Sequence, residues 1–186
     1  MRTPSGNFRT AHLTLRPLRA DDADDVFGVF SNPETWRHLP GGRHLLRAQS
    51  EGVISKSVAS WANFGLGDWA IIDDEGTFVG TGGASMLPGS VWNLGYRLTP
   101  TSWGRGFATE VAFAAVAAAA AQDTGRPMTA RILSNNPASA SVARRVGLSL
   151  AWEGATTAGA EPGVTGQIYS DRLLESQALN WLLAHV

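Results

Sequence analysis

Two groups of residues in this chain have the types and spacing that chemistry requires. The first runs Pro100-Thr101-Ser102-Trp103-Gly104-Arg105-Gly106-Phe107-Ala108-Thr109-Glu110, where an alternating strand pattern (Trp92 to Leu98) gives way to an alanine-dominated helical one. Glycines at such a junction let the backbone turn tightly and bring several N–H groups to a ligand with no Cβ in the way. The first N–H groups of the helix that follows have no intrahelical partners, and its dipole favours negative charge there. The unit therefore reads as a cradle for pyrophosphate. The plain alternative is a strand-to-helix connection whose glycines serve only the turn.

Two familiar phosphate motifs do not fit the loop. Read as a dinucleotide fingerprint it runs Gly104-x-Gly106-x-x-Thr109, without the third Gly or Ala. It also lies in mid-chain, with Asp123 a poor partner for a ribose. A Walker A loop would need Gly-Lys-Ser/Thr, and none follows. The second group is Asn136-Pro137-Ala138-Ser139, which opens a short helix one strand later. If the two intervening strands are adjacent and parallel, this helix start falls beside the glycine loop. Asn136 suits an N-cap that accepts from the Ser139 N–H, and a capping side chain can also reach a ligand.

The elements that must position these groups follow from periodicity. His12 to Leu18 alternates as a strand, and a helix starts at Asp21 with Val26, Phe27, Val29 and Phe30 as its apolar face. Asp21, Asp22, Asp24 and Asp25 read as cap and solvated face rather than a metal site. Asn32-Pro33-Glu34 breaks that helix, and a polar Gly/Arg-rich loop (Pro40 to Arg47) leads to a second helix from about Ala48 to Phe64. Gly67 to Ile72 and Thr77 to Ser85 form an antiparallel pair about Asp73-Asp74-Glu75-Gly76. Strands follow at Val91–Thr99, Met128–Leu133, Leu148–Glu153 and Gln167–Asp171, with helices to about Gln122, over Ala138–Val146 and over Leu173–Ala184. The order is mixed α/β, with one sheet and helices on both faces. Residues 1–10 are expected to be a flexible lead-in, and residues 11–186 a single domain.

Bulk properties exclude several function classes. A net charge of −1 argues against electrostatic capture of nucleic acid or an anionic membrane. The absence of cysteine removes disulfides, thiolate metal sites and a cysteine nucleophile, and suits a reducing cytoplasm. Met1 to Thr10 lacks the apolar core of a secretory signal. The longest apolar stretch, Val111 to Ala121, is about half of what spans a bilayer. A soluble cytoplasmic protein is expected, with no membrane, nucleic-acid or metal partner.

With these residues in order, the sequence resembles the GNAT N-acetyltransferases. The branch it is most similar to is typified by the ribosomal-protein N-terminal alanine acetyltransferases (RimJ/RimL-like). The resemblance covers nearly the whole chain: Leu13-Thr14-Leu15-Arg16-Pro17-Leu18-Arg19, Ser31-Asn32-Pro33-Glu34, Trp69-Ala70-Ile71-Ile72, and Phe78-Val79-Gly80-Thr81-Gly82-Gly83. Its most specific stretch is Leu94-Gly95-Tyr96-Arg97-Leu98, then Pro100 and Trp103 to Glu110, completed by Asn136, Ala138, Ser139 and Val142 to Leu148. It implies an α/β GNAT fold: a single mixed, mostly antiparallel sheet of about six to seven strands, helices on both faces, and a V-shaped splay between the two central strands.

The same resemblance implies acetyl-CoA as cosubstrate, with no metal, and an amine as acceptor. Backbone amides from Trp103, Gly104, Arg105, Gly106, Phe107 and Ala108, with Thr109 completing the motif, would hold the pyrophosphate. Main chain of Tyr96, Arg97, Leu98 and Thr99 would pair with the pantetheine arm. Arg105 would add charge at the phosphates, and Arg144 or Arg145 would approach the adenine end. Ser139 would protonate or stabilise the departing thiolate, with Asn136 orienting the pantetheine or a water. Thr101 replaces the Gln or Arg common three residues before the first loop glycine. Asn93 stands where many relatives have an acid, so Glu34, His38 and Asp171 become the candidates for a base, and Glu110 a dipole partner. Trp36 and Trp92 are candidates to line the acceptor site. Three readings stay open: transfer to a protein α-amine, transfer to a small amine, or a CoA-binding module without turnover. Monomer and homodimer are both compatible.

Overall fold

The computed structural model describes residues 7–186. Eight strands form one sheet in the order β1-β2-β3-β4-β5-β6-β8-β7. They are β1 (Phe8–Arg9), β2 (Leu13–Pro17), β3 (Asp68–Asp73), β4 (Phe78–Leu87), β5 (Val91–Leu98), β6 (Met128–Leu133), β7 (Ser149–Ala155) and β8 (Thr165–Ser170). The helices are α1 (Ala23–Phe30), α2 (Arg47–Phe64), α3 (Phe107–Gln122), α4 (Pro137–Arg145) and α5 (Ser176–Leu183). Every strand pair is antiparallel except β5 and β6.

The sheet has one strand more than the six to seven expected. The additional one, β1, falls inside the segment 1–10 expected to be a flexible lead-in. Phe8 and Arg9 pair with Leu15 and Thr14, and the Phe8 ring meets Trp69 edge-on at 5.3 Å. The Thr10 N–H donates to the Leu13 carbonyl at 2.9 Å and closes the turn. Two residues carry no readable alternation, which is why periodicity passes over them. Residues 1–6, the rest of that expected lead-in, lie outside the described residues.

Alternation along the strands sends side chains into separate cores on the two faces. Trp69 and Ile71 join the core built on α3 and α4, whereas Ala70 and Ile72 pack with Val26, Val29 and Ile54 of α1 and α2. Small residues on α3 (Ala112, Ala115, Ala119) let that helix sit close against the sheet. On the α1 and α2 face, α5 covers the other end of the sheet through Val91, Ile168 and Leu182. Asp22 is no solvated-face acid: it is buried and accepts from both Arg16 terminal nitrogens, at 2.8 and 2.6 Å, and from the Arg19 N–H at 2.7 Å. Burial pushes its carboxyl up, but these hydrogen bonds outweigh that and hold its pKa below the usual carboxylate value. Among the described residues no three His, Asp or Glu side chains gather as a metal site, and no helix is long and apolar enough to cross a membrane.

One topological feature shapes the site. β5 pairs with β4 along its whole length, from Val91↔Leu87 to Leu98↔Gly80. Its parallel pairing with β6 covers only Trp92↔Met128 and Asn93↔Thr129. Beyond Asn93 the two strands part, and the β6-facing backbone edge of Leu94 to Leu98 is left without a strand partner.

Candidate active site

The glycine loop sits at the open end of that splay. After β5, Pro100–Ser102 makes a short 3-10 turn, tied down by Thr99 Oγ1 and Ser102 Oγ at 2.7 Å and by the Thr99 N–H on the Val79 carbonyl at 2.9 Å. The Trp103 indole N–H donates back to the Leu98 carbonyl at 3.1 Å. Gly104 and Gly106 then take φ of +74° and +82°, a region that strains any residue with a Cβ. An added Cβ at either would meet no protein atom within 4 Å, so the space before the loop is open. Gly106 is the N-cap of α3 and offers no side chain to cap it, so the loop and the first turn present bare amides. Phe107, buried at the first helical position, anchors the turn from behind.

Two charged residues of this segment are turned elsewhere. Glu110 accepts from the His12 N–H at 2.8 Å and contacts its Nδ1 at 3.0 Å, so it serves the first turn of α3 and the β2 start rather than a reaction. The Arg105 guanidinium lies over the Phe107 ring at 4.4 Å, with one nitrogen 3.8 Å from buried Asp73.

The second group arrives as its sequence suggests. Asn136 caps α4, its Oδ1 accepting from the Ser139 N–H at 3.2 Å, with Pro137 in the first turn. α4 packs beside α3 on the same face of the sheet, with Ala140 and Val142 in the shared core. This brings Ser139 to Tyr96. Burial raises the Tyr96 pKa, and the neighbouring Ser139 hydroxyl opposes the rise. Sequence reasoning had valued Tyr96 only for its main chain. Its parity with Trp92 and Leu94, both in the core on the α3 side, is the signal that aims its ring at Ser139.

Strand parity also sets where Arg97 points and corrects one expectation, that for Trp92. Arg97 points to the opposite face, its guanidinium over Trp36 at 3.3 Å and Phe30 at 5.3 Å, donating to the Thr35 carbonyl. Burial lowers its pKa to about 10. Arg97 and buried Leu98 thus offer only main chain to the splay on the α3 side. Trp92 cannot line an acceptor site, because it is 2% exposed in the core beneath α3. Trp36 is half-buried, held by its indole N–H on the Phe30 carbonyl at 2.6 Å. Arg144 is engaged with the Tyr169 hydroxyl at 3.2 Å. Arg145, in the last turn of α4, sits about 12 Å along the helix from its start.

The segment between α1 and α2 lies beside the loop that leads into α4. The His38 carbonyl accepts from Asn135 Nδ2 at 3.0 Å, which joins this segment to the loop before α4. The His38 ring stacks on Trp36 at 6.4 Å. Burial, then the positive charges of Arg97 and Arg37, lower its pKa below 6.5 and keep the imidazole neutral at pH 7. Glu34 is exposed, and Asp171 is committed to the Met128 N–H at 3.1 Å and to Arg172 at 2.7 Å. Asn93 Oδ1 is buried at the fork of the splay with no hydrogen-bond partner among the described residues. A surface groove of about 540 Å³ between Phe8 and Phe113 of α3 is lined by none of Tyr96, Asn136 or Ser139.

Comparison with known proteins agrees with this geometry. Residues 12–149 match the family model described as an acetyltransferase (GNAT) domain. An acetyltransferase from Agrobacterium tumefaciens is 27% identical and superposes with a TM-score of 0.74 over 90% of this chain and 94% of its own. RimL, a ribosomal L7/L12 alpha-N-protein acetyltransferase solved with coenzyme A, shares 15% identity at a TM-score of 0.73, covering 89% of this chain and 96% of its own. The microcin C7 self-immunity acetyltransferase MccE, solved with acetyl-CoA and AMP, shares 17% identity at 0.70, covering 91% and 97%.

Proposed function

The chain belongs to the GNAT acetyltransferase family, and from that premise we propose that it transfers an acetyl group from acetyl-CoA to a primary amine by direct attack. The observation that carries this reading is the parting of β5 from β6 beyond Asn93, which leaves the Leu94 to Leu98 edge unpaired beside a glycine loop of uncapped amides, with Ser139 at the capped start of α4. RimL, the neighbour solved with coenzyme A, supports a RimJ/RimL-like setting in which the acceptor is a protein N-terminal α-amine or a small amine. A cytoplasmic location suits a chain with no cysteine.

The residues present fit the ligand. The space before Gly104 and Gly106 is open, and amides of the loop and first turn of α3 would hold the pyrophosphate, without that of Trp103, which the Pro100 carbonyl already takes at 3.2 Å; the unpaired edge of Leu94 to Leu98 would take the pantetheine as an added strand. Acetyl-CoA supplies the activated acetyl thioester. An N–H on that edge, between Tyr96 and Leu98, would polarise the carbonyl. Ser139 and Tyr96 would give a proton to the departing sulfur as the new C–N bond forms and the C–S bond breaks, and the proton that the nitrogen sheds, passed through water, would restore them. Asn136 holds the α4 start that positions Ser139. Arg105 is drawn back to Phe107 and Asp73, so Arg105→Ala should change the acetyl-CoA Kd by less than about threefold in calorimetry. A larger loss would place its guanidinium on the phosphates.

Asn93 cannot take the amine's proton. The acceptor therefore arrives deprotonated, and kcat/KM should climb with pH through the acceptor's own pKa, about 7.7–8.0 for an α-amine. Moving to an acceptor of different pKa should move the profile with it. A rise fixed below pH 6.5 for every acceptor would instead identify neutral His38 as base, since burial and its arginine neighbours lower its pKa. The deciding experiment is thiol release from acetyl-CoA against a panel of amines and N-terminal peptides. Tight acetyl-CoA binding without turnover on any of them would favour a binding module.

A further inference from the structure

The β5–β6 splay has two faces. Tyr96, Ser139 and the glycine loop serve the one covered by α3 and α4. Trp92 and Met128, paired in register, both enter that core, so their neighbours Asn93 and Thr129 point to the opposite face. By the same period Gly95, Arg97 and Arg131 share that opposite face. Ring contacts agree: Arg97 lies over Phe30 and Trp36 on the α1 side, and Arg131 lies 6.0 Å from the Trp181 ring of α5. Gly95 stands between them with open space, since a Cβ there would meet nothing nearer than Asn93 Nδ2 at 3.9 Å.

Neither guanidinium has a carboxylate partner among the described residues. Arg97 donates to the Thr35 carbonyl and Arg131 to the His185 carbonyl at 2.7 Å. The remaining N–H groups of both forks have no protein acceptor among the described residues, and none of these nitrogens is sealed in the core. The only acid between residues 32 and 46 is Glu34, which is exposed. Burial lowers the pKa of both arginines, although Arg131 faces solvent along part of its length. A guanidinium partly withdrawn from water, as that of Arg97 is, and left without a counter-ion is unfavourable; Arg131 stays exposed, and the planar fork of each matches a carboxylate or phosphate. At the fork of the splay, Asn93 Oδ1 is a buried acceptor without a donor. Arg131 lies about 7 Å and Arg97 about 13 Å further along the strands from it.

We propose that the acceptor is an amine that also carries an anionic group, a carboxylate or phosphate, with its nitrogen donating to Asn93 Oδ1 and its anion held between Arg131 and Arg97. The proposal rests on the acetyl-transfer reading and names the acceptor class for it. An acidic N-terminal peptide and a small amino acid or phosphoamine present the same chemistry.

Thiol release measured on matched acceptors tests it. Ser-Asp-Glu-Ala is compared with Ser-Asn-Gln-Ala, and 4-aminobutyrate and phosphoethanolamine with ethanolamine. The anionic member of a pair should be used at least about tenfold better in kcat/KM, and the pair that shows it tells peptide from small molecule. Arg131→Gln should remove about tenfold of that preference through KM, with the neutral acceptors and acetyl-CoA binding unchanged; Arg97→Lys, which keeps charge but loses the fork, should act in the same direction. Equal use of neutral and anionic amines, or an equal loss on both in Arg131→Gln, overturns the proposal while acetyl transfer stands. If no amine is acetylated, the acetyl-transfer reading fails instead. Calorimetry of 4-aminobutyrate and Ser-Asp-Glu-Ala on the CoA-loaded protein then decides the anion site: binding lost in Arg131→Gln supports it, and no binding to the wild type sinks it.

Discussion

Ser139→Ala should lower kcat between about ten- and a hundredfold while the acetyl-CoA Kd stays within about threefold. Proton donation by a positioned side chain contributes typically 10²–10⁴, and a hydroxyl, being a weak acid, belongs at the low end of that range. Positioning by the cradle should supply most of the remaining acceleration and survive the change. The backbone at Ser139 is held by Asn136 and Pro137, neither of which the substitution touches, so α4 should keep its start. Tyr96→Phe should cost less, about tenfold, because it removes the hydroxyl that neighbours Ser139 but leaves Ser139 itself. The double variant should lose little more than Ser139→Ala alone, since groups acting as one unit are not additive. Steady-state thiol release beside calorimetry gives both numbers. Unchanged kcat in Ser139→Ala would remove Ser139 from the chemistry, and a large rise in Kd would reassign it to cofactor binding.

That hydroxyl pair also marks how far the sequence could be read. The glycine loop, the capped start of α4 and the seven longer strands are local features, set by turn residues and periodicity within a few positions, and each lies where its pattern put it. Which side a strand residue faces is another matter. Moving the register by one residue exchanges the faces, so Trp92 reads in sequence as a wall candidate, whereas its pairing with Met128 puts it in the core beneath α3. Tyr96 with Ser139, and His38 with Asn135, are contacts 43 and 97 positions apart that only the assembled sheet creates. Asp22 shows the same limit for charge: four nearby acids look alike in sequence, and only the position of Arg16 across the β2–α1 turn selects one for burial.

Gly106→Val should raise the acetyl-CoA Kd at least about a hundredfold with only a modest loss of stability. At φ +82° a β-branched residue is strained by about 1–3 kcal/mol, which for a domain of this size lowers Tm by several degrees. No protein atom lies within 4 Å of the new Cβ, so packing adds nothing to that figure. The ligand is what the side chain would meet: it would stand before the first amides of α3, where several hydrogen bonds to pyrophosphate form together. Losing two or three of them, each charge-assisted and about 1.5–3 kcal/mol, accounts for a hundredfold or more. Gly76→Val supplies the control, because Gly76 has φ +80° and equally open surroundings in the β3–β4 turn, where no phosphate contact is proposed. It should show a similar Tm drop with an unchanged Kd. If both variants bound acetyl-CoA like the wild type, the pyrophosphate would lie elsewhere, and the loop would be the plain strand-to-helix turn that its glycines also permit.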